Sequence, residues 1–162
     1  APSALTDTSR SVDSDGGPHG LPTSFVPGRN ILFLTIAAAY GNPRGLNDLV
    51  IGAGEVDFSG YPDCREEFLA SMEKSLGLGL DADLRVHRPL VKLSKAEIFS
   101  LAEKLGALDD VLERSHTCYM GDRSERHEWG YGCGQCPACR LRKKGYEEFI
   151  AGRVARAPEV SV

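Results

Sequence analysis

Four cysteines constrain this chain more than any other sequence feature. They are separated by fourteen, two and two residues and lie within a span of 22 residues: Cys118, Cys133, Cys136 and Cys139. Four thiolates are the number that a closed tetrahedral zinc site requires, and two-residue gaps let neighbouring sulfurs converge. Gly132 and Gly134 permit tight turns there, and Pro137 begins a helix that places Cys139 in its first turn. Because four protein ligands leave no position for water, the spacing predicts a structural zinc ion.

Three other interpretations of the cysteines stay open at this point. Four cysteines also hold iron–sulfur clusters, a single C-x-x-C pair can be redox-active, and four buried thiols can be unrelated. His116 and His127 lie nearby, but four sulfurs already complete a shell, so we expect these histidines at the surface or beside the ligands. A divalent ion with four thiolates carries a formal charge of −2, which Arg140, Lys143 or Lys144 would partly offset.

Composition and charge place the chain among ordinary single-domain globular proteins. It has 162 residues, of which 41% are hydrophobic and 26% charged, and its net charge of −4 gives no overall attraction to nucleic acid. One local basic cluster is expected to be a solvated helix face: Arg140, Arg142, Lys143 and Lys144. The longest apolar run, Ile31–Tyr40, is far shorter than the ~20 residues that a membrane-spanning helix needs. We therefore expect a cytosolic protein with reduced thiols and with neither membrane nor nucleic-acid partners.

Alternating hydrophobic patterns predict an α/β fold. Residues 29–40 are apolar on nearly every face, which predicts a buried helix that stops at 41–43. The apolar run 49–51 predicts a short buried parallel strand, and 84–90 predicts a second strand. A further helix, from about 137 to 151, closes the cysteine segment. Strands and helices therefore alternate along the chain.

Two capping boxes mark the starts of helices. Asp63 with Glu66, and Ser94 with Glu97, have the spacing of this motif, and the second helix is expected to stop at Gly106. Only two convincing strands are evident, whereas a stable parallel sheet usually needs more, so we expect the sheet to be incomplete.

These patterns divide the chain into four segments. A flexible loop or arm without core residues is expected over 1–22, and an α/β core portion with a substrate loop over 23–110. A zinc-binding helical segment follows over 111–152. The last segment is a tail, 153–162.

Three stretches of sequence occur in the order and with the spacing of one known family. They are Phe25–Asn30 (Phe-Val-Pro-Gly-Arg-Asn), Gly52–Arg65 (Gly-Ala-Gly-Glu-Val-Asp-Phe-Ser-Gly-Tyr-Pro-Asp-Cys-Arg) and Cys133–Cys139 (Cys-Gly-Gln-Cys-Pro-Ala-Cys). Together they resemble the QueC family of 7-cyano-7-deazaguanine synthases. The similarity runs from about Ser3 to Ala151, which is too long for chance or for a merely shared fold.

The resemblance implies an ATP-dependent ligase of the PP-loop class. Such an enzyme converts 7-carboxy-7-deazaguanine and ammonia to 7-cyano-7-deazaguanine, a precursor of queuosine-type nucleosides. The implied fold is the C-terminal part of a PP-loop parallel sheet, adenine nucleotide alpha hydrolase-like and Rossmann-like, followed by a zinc-binding C-terminal segment. The implied cofactors are structural Zn²⁺ and, as co-substrate of the complete enzyme, ATP with Mg²⁺. A homodimer is compatible with the resemblance.

Polar side chains in these stretches are candidates for the chemistry. Activating a carboxylate with ATP builds negative charge near phosphate, which calls for cationic and N–H donors in a water-poor pocket. The candidate catalytic residues are Arg29, Asp57 and Lys95. The candidate substrate-binding residues are Asn30, Glu55, Ser59, Tyr61, Asp63 and Arg65. An acidic side chain would accept the guanine-like N–H groups, Tyr61 would stack on the base, and an arginine would hold the substrate carboxylate.

Structural roles stay open for each of these residues. Asp63 would then only cap a helix, and Arg29 would only fix a loop. Cys64, the fifth cysteine, is either a packing thiol or a nucleophile toward the activated carboxyl group, since a thiol near a helix N-terminus has a lowered pKa.

The sequence departs from the PP-loop pattern in one respect. These enzymes bind ATP through a Ser-Gly-Gly-x-Asp-Ser loop after the first strand, and Ser14–Gly17 only echoes that motif. We expect the ATP-binding portion to be a missing N-terminal part or a separate chain, and this chain alone to be inactive. The alternative is a repurposed, zinc-stabilised binding or assembly module without catalysis, which would dock on a partner or RNA through the basic helix after Cys139.

Overall fold

Five α-helices, three short 3₁₀ helices and four short strands are the regular elements of the described residues. The computed structural model describes residues 3–7, 9–13, 16–55 and 60–152. In chain order the elements are α1 (Arg29–Gly41), β1 (Asp48–Val50), α2 (Glu66–Leu80), β2 (Arg85–His87), α3 (Lys95–Lys104), α4 (Leu108–Arg114), β3 (Arg126–His127), β4 (Gly130–Tyr131) and α5 (Pro137–Ile150). The predicted tail 153–162 lies outside the described residues. No described helix is long and apolar enough to cross a membrane.

The described residues form two compact units. The strand unit runs from Val26 to Lys92 and holds α1, β1, α2 and β2. The cysteine unit combines the residues up to Phe25 with those from Leu93 onward, including α3, α4 and α5. The segments 23–110 and 111–152 do not coincide with these units, because α3 packs on α5.

The strand unit is built on a β–α–β arrangement. β1 pairs in parallel with β2, with Leu49 opposite Val86, and α2 connects the two strands. Leu69 on α2 and Val86 on β2 are almost completely buried, as expected where a helix covers one face of a parallel pair. The α/β class and the parallel sheet are therefore confirmed, although the strand predicted over 84–90 is shorter than expected.

Helix α1 has the predicted boundaries but not the predicted burial. It follows Gly28, whose φ of +77° favours glycine, and ends at Gly41. Leu34 and Ala38 are buried, but five other large apolar side chains are 45–64% exposed: Ile31, Leu32, Phe33, Ile36 and Tyr40. Val50 on β1 is 75% exposed as well. The predictions of a buried helix and a buried strand are therefore wrong within the described residues, because no other described element covers these faces.

The cysteine unit packs α3 against α5. The capping box at the start of α3 is confirmed: Ser94 Oγ accepts the N–H of Glu97 at 3.3 Å, and the Glu97 carboxylate accepts the N–H of Ser94 at 2.8 Å. The Phe99 and Tyr146 rings pack edge to face, with their centroids 5.3 Å apart. The predicted stop at Gly106 is also confirmed by its φ of +68°. Helix α4 and the β3–β4 hairpin were not predicted, because they are too short to show a hydrophobic period.

The segment before Phe25 contributes to the cysteine unit. The N–H of Ala4 donates to Thr23 O at 2.8 Å, and Ala4 is only 7% exposed. Val12 packs against the core around the cysteines. The expectation that this segment carries no core is therefore wrong at Ala4, while its flexibility stays a prediction.

Replacing Gly145 should destabilise the α3–α5 contact. A Cβ built on Gly145 lies 2.3 Å from Lys95 Cβ, so α3 and α5 must separate in Gly145→Ala. We expect a loss of about 1–3 kcal/mol in the free energy of unfolding, measured by urea denaturation. Gly79→Ala on α2 is the control: its Cβ meets nothing within 4 Å. That change should stabilise by about 0.5–1 kcal/mol. Equal effects of the two substitutions would contradict the close packing.

Candidate metal centre and substrate site

Three separate parts of the cysteine unit bring four sulfurs together. Cys118 lies in the loop after α4, and Cys133 follows strand β4 of the hairpin. Cys136 is the N-cap of α5, Pro137 is its first residue, and Cys139 lies in its first turn, as predicted. The helix start therefore fixes two ligands, while the hairpin and the loop after α4 each add one.

The four sulfurs have the spacing of ligands to one ion. All four Sγ atoms lie within 4.8 Å of one another, and those of Cys133 and Cys139 are 4.0 Å apart. A tetrahedral ion with bonds of about 2.3 Å holds its sulfurs about 3.8 Å apart, so small side-chain adjustments suffice. All five cysteines are free, and three of the four clustered ones are buried. The cluster can therefore bind a metal ion.

Backbone N–H groups support thiolates at this cluster. The N–H of Tyr119 lies 3.4 Å from Cys136 Sγ, and the N–H of Cys136 lies 3.4 Å from Cys133 Sγ. Burial opposes ionisation of Cys118, but backbone N–H groups, first that of Cys133, outweigh it and lower its pKa to about 6. Burial and the neighbouring Cys136 instead raise the pKa of Cys139. A bound divalent cation would favour the thiolate form of the sulfurs that it contacts.

Closely packed groups surround the cysteine side chains. A Cβ on Gly132 would lie 2.6 Å from Cys139 Sγ, which explains the glycine next to Cys133. His127 stacks on Trp129 with centroids 4.3 Å apart, and its Nε2 is 2.8 Å from Gly132 O. His116 Nε2 is 2.8 Å from a backbone oxygen. Neither histidine belongs to the four-sulfur group, as expected.

A buried polar cluster lies at the start of α1 in the strand unit. The side chain of Arg29 links its members: Nε is 3.2 Å from Asn30 Oδ1, Nη2 is 3.9 Å from Cys64 Sγ, and Cζ is 5.7 Å from the Tyr61 ring centroid. Asn30 Nδ2 donates to Asp63 O at 2.8 Å. All but Arg29 are less than 9% exposed. The structure therefore brings four of the candidate site residues together: Arg29, Asn30, Tyr61 and Asp63.

Asp63 caps α1 and not the helix that follows it. Its Oδ2 accepts the N–H of Asn30, the second residue of α1, at 3.2 Å. The first N–H of α2, that of Glu66, instead donates to Glu55 Oε2 at 3.1 Å, and the N-cap Arg65 supplies no side-chain cap. The predicted capping box of Asp63 and Glu66 is therefore wrong, because the Asp63 carboxylate accepts from Asn30, which lies 33 residues away in sequence.

Three other candidate residues that the structure describes are not members of this cluster. Glu55 and Arg65 are exposed and lie at the N-terminus of α2. Lys95 belongs to the cysteine unit, where it is the first residue of α3. Asp57 and Ser59 lie outside the described residues.

Cys64 has the properties of a packing thiol. It is 8% exposed, and burial, followed by the negative charge of Asp63, raises its pKa; Arg29 acts in the opposite direction. A thiol with a raised pKa stays protonated near neutral pH and is a poor nucleophile. These properties weigh against a thioester role for Cys64.

Arg142 is a residue whose burial the sequence interpretation missed. The sequence pattern predicted a solvated basic face, yet Arg142 is only 4% exposed. Burial lowers the pKa of Arg142, while the negative charge of Cys139 acts in the opposite direction. The available signal was its position three residues after Cys139, on the same face of α5.

Sequence comparisons identify the family. The family model described as "Queuosine biosynthesis protein QueC" matches residues 1–150 of the chain. The chain belongs to the QueC family. This match confirms the resemblance drawn from the three sequence stretches and covers nearly the same residues.

Three curated relatives of this QueC-family chain are 50–56% identical to it over the aligned residues. All three carry the name 7-cyano-7-deazaguanine synthase. The protein from Bordetella pertussis is 56% identical over 137 residues, which is 83% of this chain and 56% of the relative. That from Wolinella succinogenes is 53% identical over 92% of this chain and 65% of its own length. That from Burkholderia multivorans is 50% identical over 96% of this chain and 66% of its own length. The QueC-family chain therefore spans about 56–66% of the length of these relatives.

We predict that the four-sulfur cluster holds one equivalent of metal. Cys136→Ser should lose most of the bound metal and unfold at lower temperature, because a serine hydroxyl replaces one thiolate ligand. Elemental analysis and thermal denaturation measure both effects. Cys64→Ser is the matched control, since Cys64 is a buried cysteine outside the cluster, and it should keep its metal. Full metal content in Cys136→Ser would rule out the cluster as the site.

We also predict that Asp63 stabilises α1. Asp63→Ala leaves the N–H of Asn30 without its carboxylate partner and should cost about 0.5–2 kcal/mol in the free energy of unfolding. Chemical denaturation followed by circular dichroism measures the change. Asp83→Ala removes a carboxylate that is 84% exposed and serves as the control, with stability close to wild type. An unchanged midpoint for Asp63→Ala would contradict the capping role.

Proposed function

We propose that this chain is the substrate-binding and zinc-binding part of a 7-cyano-7-deazaguanine synthase. The complete enzyme would convert 7-carboxy-7-deazaguanine and ammonia to the nitrile with ATP and Mg²⁺. The observation that carries the proposal is the Arg29 cluster, formed with the loop that follows β1, in a chain 50–56% identical to proteins of that name. Ligands of open α/β sheets bind outside the carboxyl ends of the strands, which is where this loop begins.

The reaction explains why cationic and N–H groups are needed. A carboxylate resists ammonia because its charge repels the nucleophile and oxide is a poor leaving group. Transfer of a phosphoryl or adenylyl group from ATP to the carboxylate creates a leaving group, which ammonia displaces to give the amide. A second activation, now of the amide oxygen, allows that oxygen and two N–H protons to depart and leaves the nitrile. Both steps build negative charge that fixed donors can stabilise.

Arg29 is our first choice for the residue that meets the substrate carboxylate. It is the cationic member of a cluster whose other members are buried, and its contacts with Asn30 and Cys64 hold the guanidinium in place. Asn30 and Asp63 bond to each other, so they position Arg29. The Tyr61 ring lies against Arg29 and would stack on the base.

The other candidates keep the roles proposed from the sequence. Glu55 has a second carboxylate oxygen beyond the one that caps α2, and it is exposed enough to accept guanine-like N–H groups. Arg65 and Ser59 would bind substrate from the same loop. Asp57 and Lys95 are proposed as catalytic groups.

The ATP-binding loop of the complete enzyme would come from polypeptide other than these 162 residues, which contain no Ser-Gly-Gly-x-Asp-Ser motif. The apolar face of α1 and the two-stranded parallel sheet support this proposal, because a Rossmann-like PP-loop sheet needs further strands and cover on both faces. The described residues would then be the C-terminal part of that sheet with its zinc-binding segment.

Zinc is the metal that the cysteine cluster suits best. Four thiolates form a closed tetrahedral shell, and sulfurs within 4.8 Å of one another fit one ion better than an iron–sulfur cluster, which would hold them farther apart. When bound, the ion would tie the loop after α4, the hairpin and α5 together, and it would have no open position for catalysis. Elemental analysis of the wild-type protein identifies the ion.

A docking module for RNA has less support. The exposed basic residues on α5 are engaged with carboxylates in these pairs: Arg140 with Asp13, Lys143 with Glu147 and Lys144 with Glu148. Paired charges attract phosphate weakly, so the basic helix offers little driving force for nucleic acid.

Arg29→Ala tests the proposed site in the complete enzyme, in which this chain is joined or mixed with the polypeptide that carries the ATP-binding loop. We expect kcat/KM to fall on the order of 100-fold, since a donor to developing negative charge is lost. Stabilisation of the protein by 7-carboxy-7-deazaguanine in a thermal shift assay should also weaken.

Arg44→Ala is the matched control, because the Arg44 guanidinium covers the exposed Tyr40 ring, donates to Tyr40 O at 2.7 Å and is not a member of the Arg29 cluster. It should leave turnover unchanged. Wild-type turnover and wild-type affinity for the acid in Arg29→Ala would remove Arg29 from the site. Failure of the wild-type complete enzyme to form the nitrile would overturn the proposed function.

A further inference from the structure

Arg142 is a buried cation whose hydrogen-bond acceptors among the described residues are neutral. Its Nε donates to Trp129 O at 2.7 Å, Nη1 to Ser115 Oγ at 2.9 Å and Nη2 to Val111 O at 2.7 Å. The guanidinium also lies 5.8 Å from the centroid of the Phe99 ring. Hydrogen bonds to neutral oxygens satisfy its donors, but they leave its positive charge uncompensated in a site from which water is excluded.

Among the residues that the structure describes, no carboxylate pairs with Arg142. The three neighbouring cations of α5, which the sequence interpretation had assigned to the metal centre, all have acidic partners. A buried cation without a carboxylate needs another source of negative charge nearby.

The cysteine cluster is that source. Cys139 and Arg142 are both buried on α5 and lie three residues apart, so their side chains occupy the same helix face. Trp129, whose carbonyl accepts from Arg142, belongs to the core around the cysteines. A divalent ion with four thiolates would carry a net charge of −2 at this place.

We propose that Arg142 is the buried counter-cation of the metal–tetrathiolate centre and that it sets the metal affinity through its charge. The proposal rests on the zinc centre of the proposed function. Arg142 is a positioning residue, since it touches no sulfur through a hydrogen bond. Its charge lowers the cost of burying a dianion, and the dianion in turn compensates the guanidinium.

A purely structural role is the competing explanation. The same three hydrogen bonds join α5 to the C-terminal end of α4 and to the hairpin, so loss of Arg142 would loosen the segments that carry two of the ligands. A structural role predicts an equal loss of stability with and without metal. A charge role predicts a loss that is larger in the metal-loaded protein, because only that form contains the dianion.

Arg142→Gln and Arg142→Lys separate these explanations. Glutamine keeps an N–H donor without charge, whereas lysine keeps the charge without the planar guanidinium. Zinc affinity is measured by competition with a chromophoric chelator, and thermal unfolding is followed with zinc and after zinc removal. Arg126→Gln is the control, because Arg126 pairs with Glu113 at the surface and should not affect zinc affinity.

We expect Arg142→Gln to weaken zinc binding about 10–100-fold and Arg142→Lys to weaken it less than about tenfold. Arg142→Gln should also lower the unfolding temperature more with zinc than without it. Equal losses of zinc affinity in the two variants, or equal destabilisation of the loaded and zinc-free forms by Arg142→Gln, would overturn the proposal.

Two further outcomes are also decisive. If Arg142→Gln does not fold, Arg142→Lys decides alone: zinc affinity within about tenfold of wild type supports the charge role, and a larger loss overturns it. A wild-type protein that binds no zinc would overturn the metal centre and this proposal together. If the wild-type protein binds zinc normally but Arg142→Gln and Arg142→Lys lose equal zinc affinity, only the role of Arg142 is overturned.

Discussion

The convergence of four sulfurs is the constraint on which the cysteine unit depends. The sulfurs lie within 4.8 Å of one another, and as thiolates they would repel one another strongly unless a cation lay between them. Their positions in turn fix the loop after α4, the hairpin and the first turn of α5. These segments include elements of only two residues per strand, which have little packing energy of their own. Under the proposed function, the bound ion would therefore stabilise the order of this region.

Sequence reasoning succeeded where the determining interactions are local. The cysteine cluster follows from spacings of two residues and a proline at a helix start, and the box of Ser94 and Glu97 is complete within four residues. Gly41 and the Asn42–Pro43 pair likewise predicted the end of α1 correctly. In each case the partner groups are neighbours in the chain, so their geometry is set by backbone conformations that the residue types reveal.

It failed where a residue has two competing partners or where burial depends on distant elements. Asp63 has the local signature of a cap for α2, yet it reaches the N-terminus of α1 while Glu55 takes its expected place. Arg142 belongs to a basic run, but the side of α5 on which it lies packs against α4 and the hairpin. A pattern of charges gives no information on which side of a helix will be covered. The candidate substrate cluster could thus be named from motifs, but its internal bonds could not be predicted.

The open sheet of the strand unit has a consequence for how this chain behaves in concentrated solution. β1 and β2 pair only with each other among the described residues. The outer edge of β2 is occupied, because the Val86 N–H donates to Glu73 Oε2 at 2.7 Å and Val86 O accepts from Arg88 at 2.7 Å. The outer edge of β1 instead presents backbone N–H and C=O groups that another strand can bind. Val50 and the exposed leucine, isoleucine and phenylalanine side chains of α1 add apolar surface in the same unit. The uncovered edge of β1 combined with apolar surface favours self-association, and the chain in isolation should therefore form oligomers or precipitate as its concentration rises.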